Sequence, residues 1–315
     1  MSQQAEQTEL ARSADQPDAG SAGLAGSASH GSPATVSSPA RTRLTRRRRI
    51  RPARIVMFVT MIAVAVVMLY PLLYIVMTSF KSEVQYELGG GFSLASWRIL
   101  VSSQPILREL LNSLIVSSCA VALIVVISTA AGFAFAKIRY RGRTLVFVLV
   151  VACMFVPLPS IVIPEYVNVS RFGVLDTYWG AIAVYAALGI PFSIFLMTTY
   201  FRGLSDDLIE AASIDGVSMW KMWWRLGVPL ARPAMFTVAV LQFIQIWNDL
   251  LVGLLFLQNI NDRTVTVGLA LLSSGRVTSI PVLMAGSVMS IIPPIIVYLI
   301  FQRHLVRGIT MGMGK

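Results

Sequence analysis

The chain has 315 residues, of which 56% are hydrophobic and only 13% charged, against about 25% charged in an average soluble domain. Apolar runs of about eighteen residues or more recur along it, each long enough to cross a hydrocarbon core of roughly 30 Å as a helix. Soluble globular classes are thereby excluded, and the net charge of +11 reads as loop charge that sets orientation in a membrane.

Residues 1–40 are rich in Ser, Ala, Gly and Gln, a composition that cannot bury enough apolar surface to fold alone. With the basic stretch that follows, residues 1–54 are read as a disordered cytoplasmic arm. Eight arginines lie in residues 41–54, directly before the first apolar run. Orientation and anionic membrane lipid account for such a juxtamembrane cluster without nucleic acid.

The first span covers residues 55–77, too long for a signal-peptide core of about 7 to 15 residues, and is expected to stay in the mature protein. Further spans are predicted at 111–136, 144–163, 178–199, 234–257 and 281–301. The expected fold is an all-α membrane protein with six transmembrane helices in one domain, residues 55–315. Cys119 and Cys153 fall inside apolar runs and read as small buried hydrophobes, with neither disulfide nor metal-ligand spacing.

An even span count places both termini on one side. Lysines and arginines then divide 20 to 6 in favour of the side that carries the arm, so both termini are expected in the cytoplasm of a multi-pass protein. Pro157, Pro159 and Pro164 end the third span and Pro293-Pro294 interrupt the sixth. Prolines of this kind mark bends where neighbouring helices or a cavity satisfy the freed backbone, although proline is also common in membrane helices generally.

The connection at about 202–232 is longer than a turn between helices needs. Asp207 followed by Glu210 resembles a capping box, Leu208, Ile209, Ala211 and Ala212 continue a helix, and Gly216 is placed to end it in a left-handed conformation. A second short helix is predicted over 218–226, with Met219, Trp220 and Trp223 on one face, before Pro229 stops it. Two readings remain open for this helical hairpin. The small alanines and Glu210 suit close docking against a basic partner, while the tryptophans suit an interfacial helix anchored among lipid headgroups.

The run Glu210-Ala211-Ala212, three residues, Gly216, and nine residues before Leu226-Gly227-Val228-Pro229 resembles the EAA signature of ABC-importer permeases. The usual ending of that signature is Ile-x-Leu-Pro, so Leu226 and Val228 are conservative departures. Tyr70-Pro71, Thr78-Ser79-Phe80-Lys81, Asn112-Ser113, Phe135-Ala136-Lys137 through Arg141-Gly142, Asp215-Gly216, Trp247-Asn248-Asp249 and the ending Gln302-Arg303 through Gly308 look like the carbohydrate, maltose-type branch. The resemblance implies that the hairpin is a pair of coupling helices docking into a cytoplasmic ATPase, through Glu210, Ala211, Ala212, Asp215, Gly216 and Pro229. It further implies a bacterial cell-membrane location and three kinds of partner: a second permease subunit, two copies of the ATPase, and an external sugar-binding protein reached by the loop between spans five and six.

In the fifth span Gln242, Gln245 and Asp249 fall at i, i+3 and i+7, with Asn248 beside them. One polar stripe on an apolar helix is expected to face protein or water, because a carboxylate near a helix centre costs on the order of 2.5 to 3.5 kcal/mol in lipid. Such a stripe can line a translocation pathway or join helices as polar glue. An ion-coupled secondary transporter is the competing reading, and it would call for intramembrane charge relays or inverted halves that the sequence does not display. No phosphate-binding G-x-x-x-x-G-K-[ST] loop occurs, so no catalytic residue, metal ligand or bound cofactor is expected, and ATP would be hydrolysed by partner subunits.

Overall fold

The computed structural model describes residues 52–275 and 279–312, and the side chains of 55–275, except Leu208, and of 279–302. Residues 1–51 of the expected disordered arm lie outside the described residues, and its last three, 52–54, begin the first helix. The described secondary structure is entirely helical. Five helices are long and apolar enough to cross a membrane: Ile55–Ser79, Ile106–Lys137, Tyr178–Arg202, Met219–Trp247 and Ile280–Gln302. A sixth crossing requires a pair of helices, Arg143–Phe155 and Leu158–Arg171, bent by 101°.

In chain order, α1 (Pro52–Ser79) leads into two short helices, α2 (Glu83–Leu88) and α3 (Ala95–Ser103). Next comes α4 (Ile106–Lys137), the longest uninterrupted helix before the C-terminal one. The third predicted span is corrected. α5 (Arg143–Ala152) tightens into a 3-10 turn at Cys153–Phe155, the chain extends at Val156 and Pro157, and α6 (Leu158–Arg171) leaves in a new direction. A residue before proline is pushed toward extended backbone, so Pro157 converts the expected span into a corner.

Helix α7 (Tyr178–Arg202) packs along α4. Gly132 of α4 makes that approach possible, since a Cβ there would stand 2.6 Å from Met197 Cβ. Ser128, Thr129, Ser193 and Thr198 are buried in the same two helices, as expected where small residues let membrane helices come close. α8 (Asp207–Ile214) and α9 (Met219–Met222) form the hairpin, which passes through a π turn at Trp223–Gly227 into α10 (Val228–Trp247).

Pro229 therefore does not stop a helix. The Val228 N–H reaches back to the Trp223 carbonyl, and the proline, having no N–H to place, sits in the first turn of α10, where none is needed. The expected apolar face is also revised: Met222 and Trp223 are buried, whereas Met219 and Trp220 are exposed.

The fifth predicted span ends early, at Trp247. Asn248 Nδ2 donates to the Ile244 carbonyl at 2.7 Å, and Asp249 Oδ1 accepts the Val252 N–H at 2.8 Å. Side chains that bond the local backbone compete with helix continuation, and α11 (Leu251–Phe256) starts afresh after the break. α12 (Val265–Ser273) and α13 (Ile280–Gly312) complete the fold, α13 lying against α10 and α3.

No residue in the apolar window of α1 is buried. Cys119 and Cys153 are exposed as well, contrary to expectation. Lipid and a protein core are equally apolar solvents, so an apolar run does not say which of its residues face inward.

Candidate functional site

Two polar features stand out against the apolar bundle, the hairpin and the break in the fifth span. In the hairpin the Asp207/Glu210 capping box does not form. Ser205 takes its place: its Oγ accepts the Asp207 N–H at 3.2 Å and donates to Asp207 Oδ2 at 2.8 Å. The neighbouring Asp206 carboxylate is bound by Lys137 Nζ at 2.6 Å, and this hydrogen bond holds the Asp206 carboxyl below the usual range.

The far end of α8 closes as a Schellman turn. Gly216 has φ +71°, its N–H donates to the Ser213 carbonyl, and the Val217 N–H donates to the Ala212 carbonyl, both at 3.1 Å. Those are the two bonds of that motif, with glycine in the left-handed position. The fold thereby splits the two alanines: Ala212 is buried against the body while Ala211 is exposed. Glu210, Ala211, Asp215 and Gly216 are all exposed, together with Ile214, which is 86% exposed.

Among the described residues the ion pairs are Lys137–Asp206 and Arg263–Glu109, so Glu210 and Asp215 pair with no other described residue. An open cleft of about 360 Å³ is lined by Glu210 together with Lys137, Arg139 and Arg143. Pro229 is exposed at the base of the hairpin.

The expected polar stripe is divided by the helix break. Gln242 is buried, and its Nε2 donates to Ser193 Oγ at 3.1 Å and to the Gly189 carbonyl at 3.3 Å. This bridges α10 to α7. Gln245 and Asn248 are exposed. Asp249 is not a mid-helix carboxylate: it sits in the break, where Oδ1 accepts the Val252 N–H and the Tyr185 hydroxyl at 3.1 Å. Gln242, Gln245 and Asp249 nevertheless share a cavity of about 50 Å³ with Tyr185, Gly189 and Leu158. It has room for a few waters. Leu158 opens the helix after the Pro157 corner, so both interrupted spans meet at this cavity.

Sequence reasoning missed the partners of these groups. Nothing local announces that Lys137 reaches Asp206 or that Gln242 meets Ser193, since each pair joins segments far apart in the chain.

The family model for binding-protein-dependent transport system inner membrane components matches residues 124–311. An osmoprotective-compound uptake permease protein of Synechocystis sp. is 38% identical over 225 residues, covering 71% of this chain and 76% of the relative. A trehalose/maltose transport system permease protein of Thermococcus litoralis is 33% identical over 272 residues, covering 83% and 96%. Among solved structures, a bacterial ABC transporter that imports the acidic polysaccharide alginate is similar with a TM-score of 0.69 at 25% identity, covering 80% of this chain and 97% of that one. With this match across both the hairpin and the broken span, the chain belongs to the family of binding-protein-dependent transport system inner membrane components.

Proposed function

We propose that this chain is one permease subunit of an ATP-driven, binding-protein-dependent importer, forming with a second permease the pathway for a sugar or oligosaccharide. The observation that carries the reading is the exposed face of α8, where Glu210, Ala211, Ile214 and Asp215 protrude beside the Gly216 turn with no ion pair to another described residue. An acidic, small-residue helix end held in a fixed turn is suited to a basic cleft on an ATPase, two copies of which would supply the hydrolysis. This chain holds no ATP or other cofactor of its own in that scheme.

The excess of Lys and Arg at the hairpin end favours a cytoplasmic placement for that end and for both termini. The second permease is the natural cover for α1, whose apolar window no other described part of the chain buries. Residues 257–264, at the opposite end of the bundle, would meet the external sugar-binding protein. A saccharide cargo is supported by what the trehalose/maltose relative and the alginate importer carry. Gln242, Gln245 and Asp249 would line the pathway once the small cavity opens, with Asn248 at its edge.

The test is reconstitution in vesicles with the second permease, the ATPase and the binding protein. Uptake should need all of them and ATP. Uptake by this chain alone, driven by an ion gradient, would establish the secondary-transporter reading instead.

A further inference from the structure

Every candidate span but one is interrupted. Pro71 lies within α1, a corner separates α5 from α6, Pro191 lies within α7, the α10 span carries a π turn and Pro233, and α13 contains Pro293 and Pro294. Helix α4 runs 32 residues with no proline inside and no break, a length of about 48 Å at 1.5 Å per residue. Sharp kinks need proline, a π turn or a similar insertion, so α4 is the stiffest connection between the two ends of the bundle.

Both ends of this helix are bolted to the segments that face outward. At one end Glu109 Oε1 accepts from Arg263 Nε at 2.8 Å, with Glu109 1% exposed. One turn on, Asn112 Nδ2 donates to the carbonyls of Asn261 and Arg263 at 2.9 and 3.0 Å, and Ser113 Oγ accepts the Val265 N–H at 2.8 Å. Residues 109, 112 and 113 share one helix face, and together they fasten the loop at 257–264 to α4. The tip of that loop remains free, with Ile260 55% exposed. At the other end Lys137 closes α4 with its side chain only 3% exposed, and its Nζ donates to the Leu204 carbonyl at 2.7 Å and to Asp206 at the start of α8. The Glu109–Arg263 pair is buried, so breaking it strands a charge away from water; at the other end Asp206 is 65% exposed, and the hold rests on the covered Lys137 ammonium, which would lose the Leu204 carbonyl as well.

We propose that α4 is a rigid rod that relays binding-protein docking at the 257–264 loop to the α8 hairpin, with Glu109 and Lys137 as the positioning residues at its two ends. The inference rests on the importer reading above. Each acts by holding one outward segment to one helix, Glu109 through Arg263 and Lys137 through Leu204 and Asp206.

The experiment uses the complete importer in vesicles and reads the ratio of binding-protein-stimulated to basal ATP hydrolysis, normalised to each variant's own basal rate. Glu109→Gln and Lys137→Met should each lower that ratio about 5-fold or more, the lower end of ordinary coupling between distant sites, while Lys137→Arg keeps it. The double variant should lose no more than either single one, because a rod detached at one end relays nothing. Structural damage at sites this far apart would instead add. If Glu109→Gln does not assemble, the paired Glu109→Leu/Arg263→Leu change, which leaves no unpaired charge, replaces it. Additive losses, or stimulation retained by the single variants, would overturn the rod. A wild-type complex that shows neither stimulation nor uptake would overturn the importer reading.

Discussion

Substitution of Gly216 isolates the hairpin's geometry from its contacts. The residue holds φ +71°, and a Cβ built on it would meet nothing within 4 Å. Its cost within the chain is therefore one of backbone alone: about 1–2 kcal/mol for an ordinary L-residue held left-handed, less for Asn, and more for a β-branched residue. If the turn unwinds to escape this strain, the Gly216-to-Ser213 and Val217-to-Ala212 bonds are lost, at about 0.5–1.5 kcal/mol each. If α8 docks on an ATPase as proposed, a deficit of about 1–3 kcal/mol falls on the docked shape either way, which corresponds to roughly 5- to 150-fold weaker ATPase binding. Titrating the ATPase onto the purified permease pair should give the order Gly, Asn, Ala, Val from tightest to weakest. Membrane insertion should not change, since no apolar span is touched. Wild-type affinity for Gly216→Val would refute the reasoning. So would equal losses from Asn and Val, which would place the cost in side-chain bulk at the interface.

Gly132→Leu should lower the thermal stability of the complex, because the new side chain meets Met197 Cβ and backbone that cannot rotate away; overpacking of this kind costs about 1–3 kcal/mol, readable as an earlier melting transition in detergent. Asp249→Asn should preserve assembly, since the amide oxygen can still accept from Val252 and Tyr185. Asp249→Leu should stop uptake in complexes that still form, and normal transport by those complexes would assign the aspartate to the helix break alone. The Lys137 bond depresses the Asp206 carboxyl, so that pair's contribution is complete above the ordinary aspartate value of about 3.9 and is lost only as pH falls through the lowered one. ATPase association across mildly acidic pH should therefore be insensitive to this group, which a comparison with Asp206→Asn checks.

Much of the site was legible because it is local. The Gly216 turn depends on a helix of suitable composition followed by the one residue that reverses its hand without steric cost, and both lie within ten residues. Membrane class and the approximate spans rest on runs of apolar side chains, which any helix crossing lipid requires. Position within the fold was less legible. Asp249 reads in sequence as the charged member of a helical stripe, yet side-chain bonds from Asn248 and Asp249 to nearby backbone end the helix before it. Pro157 marks a bend in sequence, but the size of the corner, 101°, is not written in the proline.

The inward faces were hidden for a more general reason. Cys119 lies outside and Val116 inside, although apolar periodicity cannot tell them apart, since lipid and core reward the same side chains. The remaining decisions belong to tertiary structure alone. Glu109 and Arg263 are 154 residues apart, and Lys137 meets Asp206 across 69. A buried charge must find its counter-charge wherever the packing of α4 and its neighbours brings one, and no pattern within either segment records that meeting.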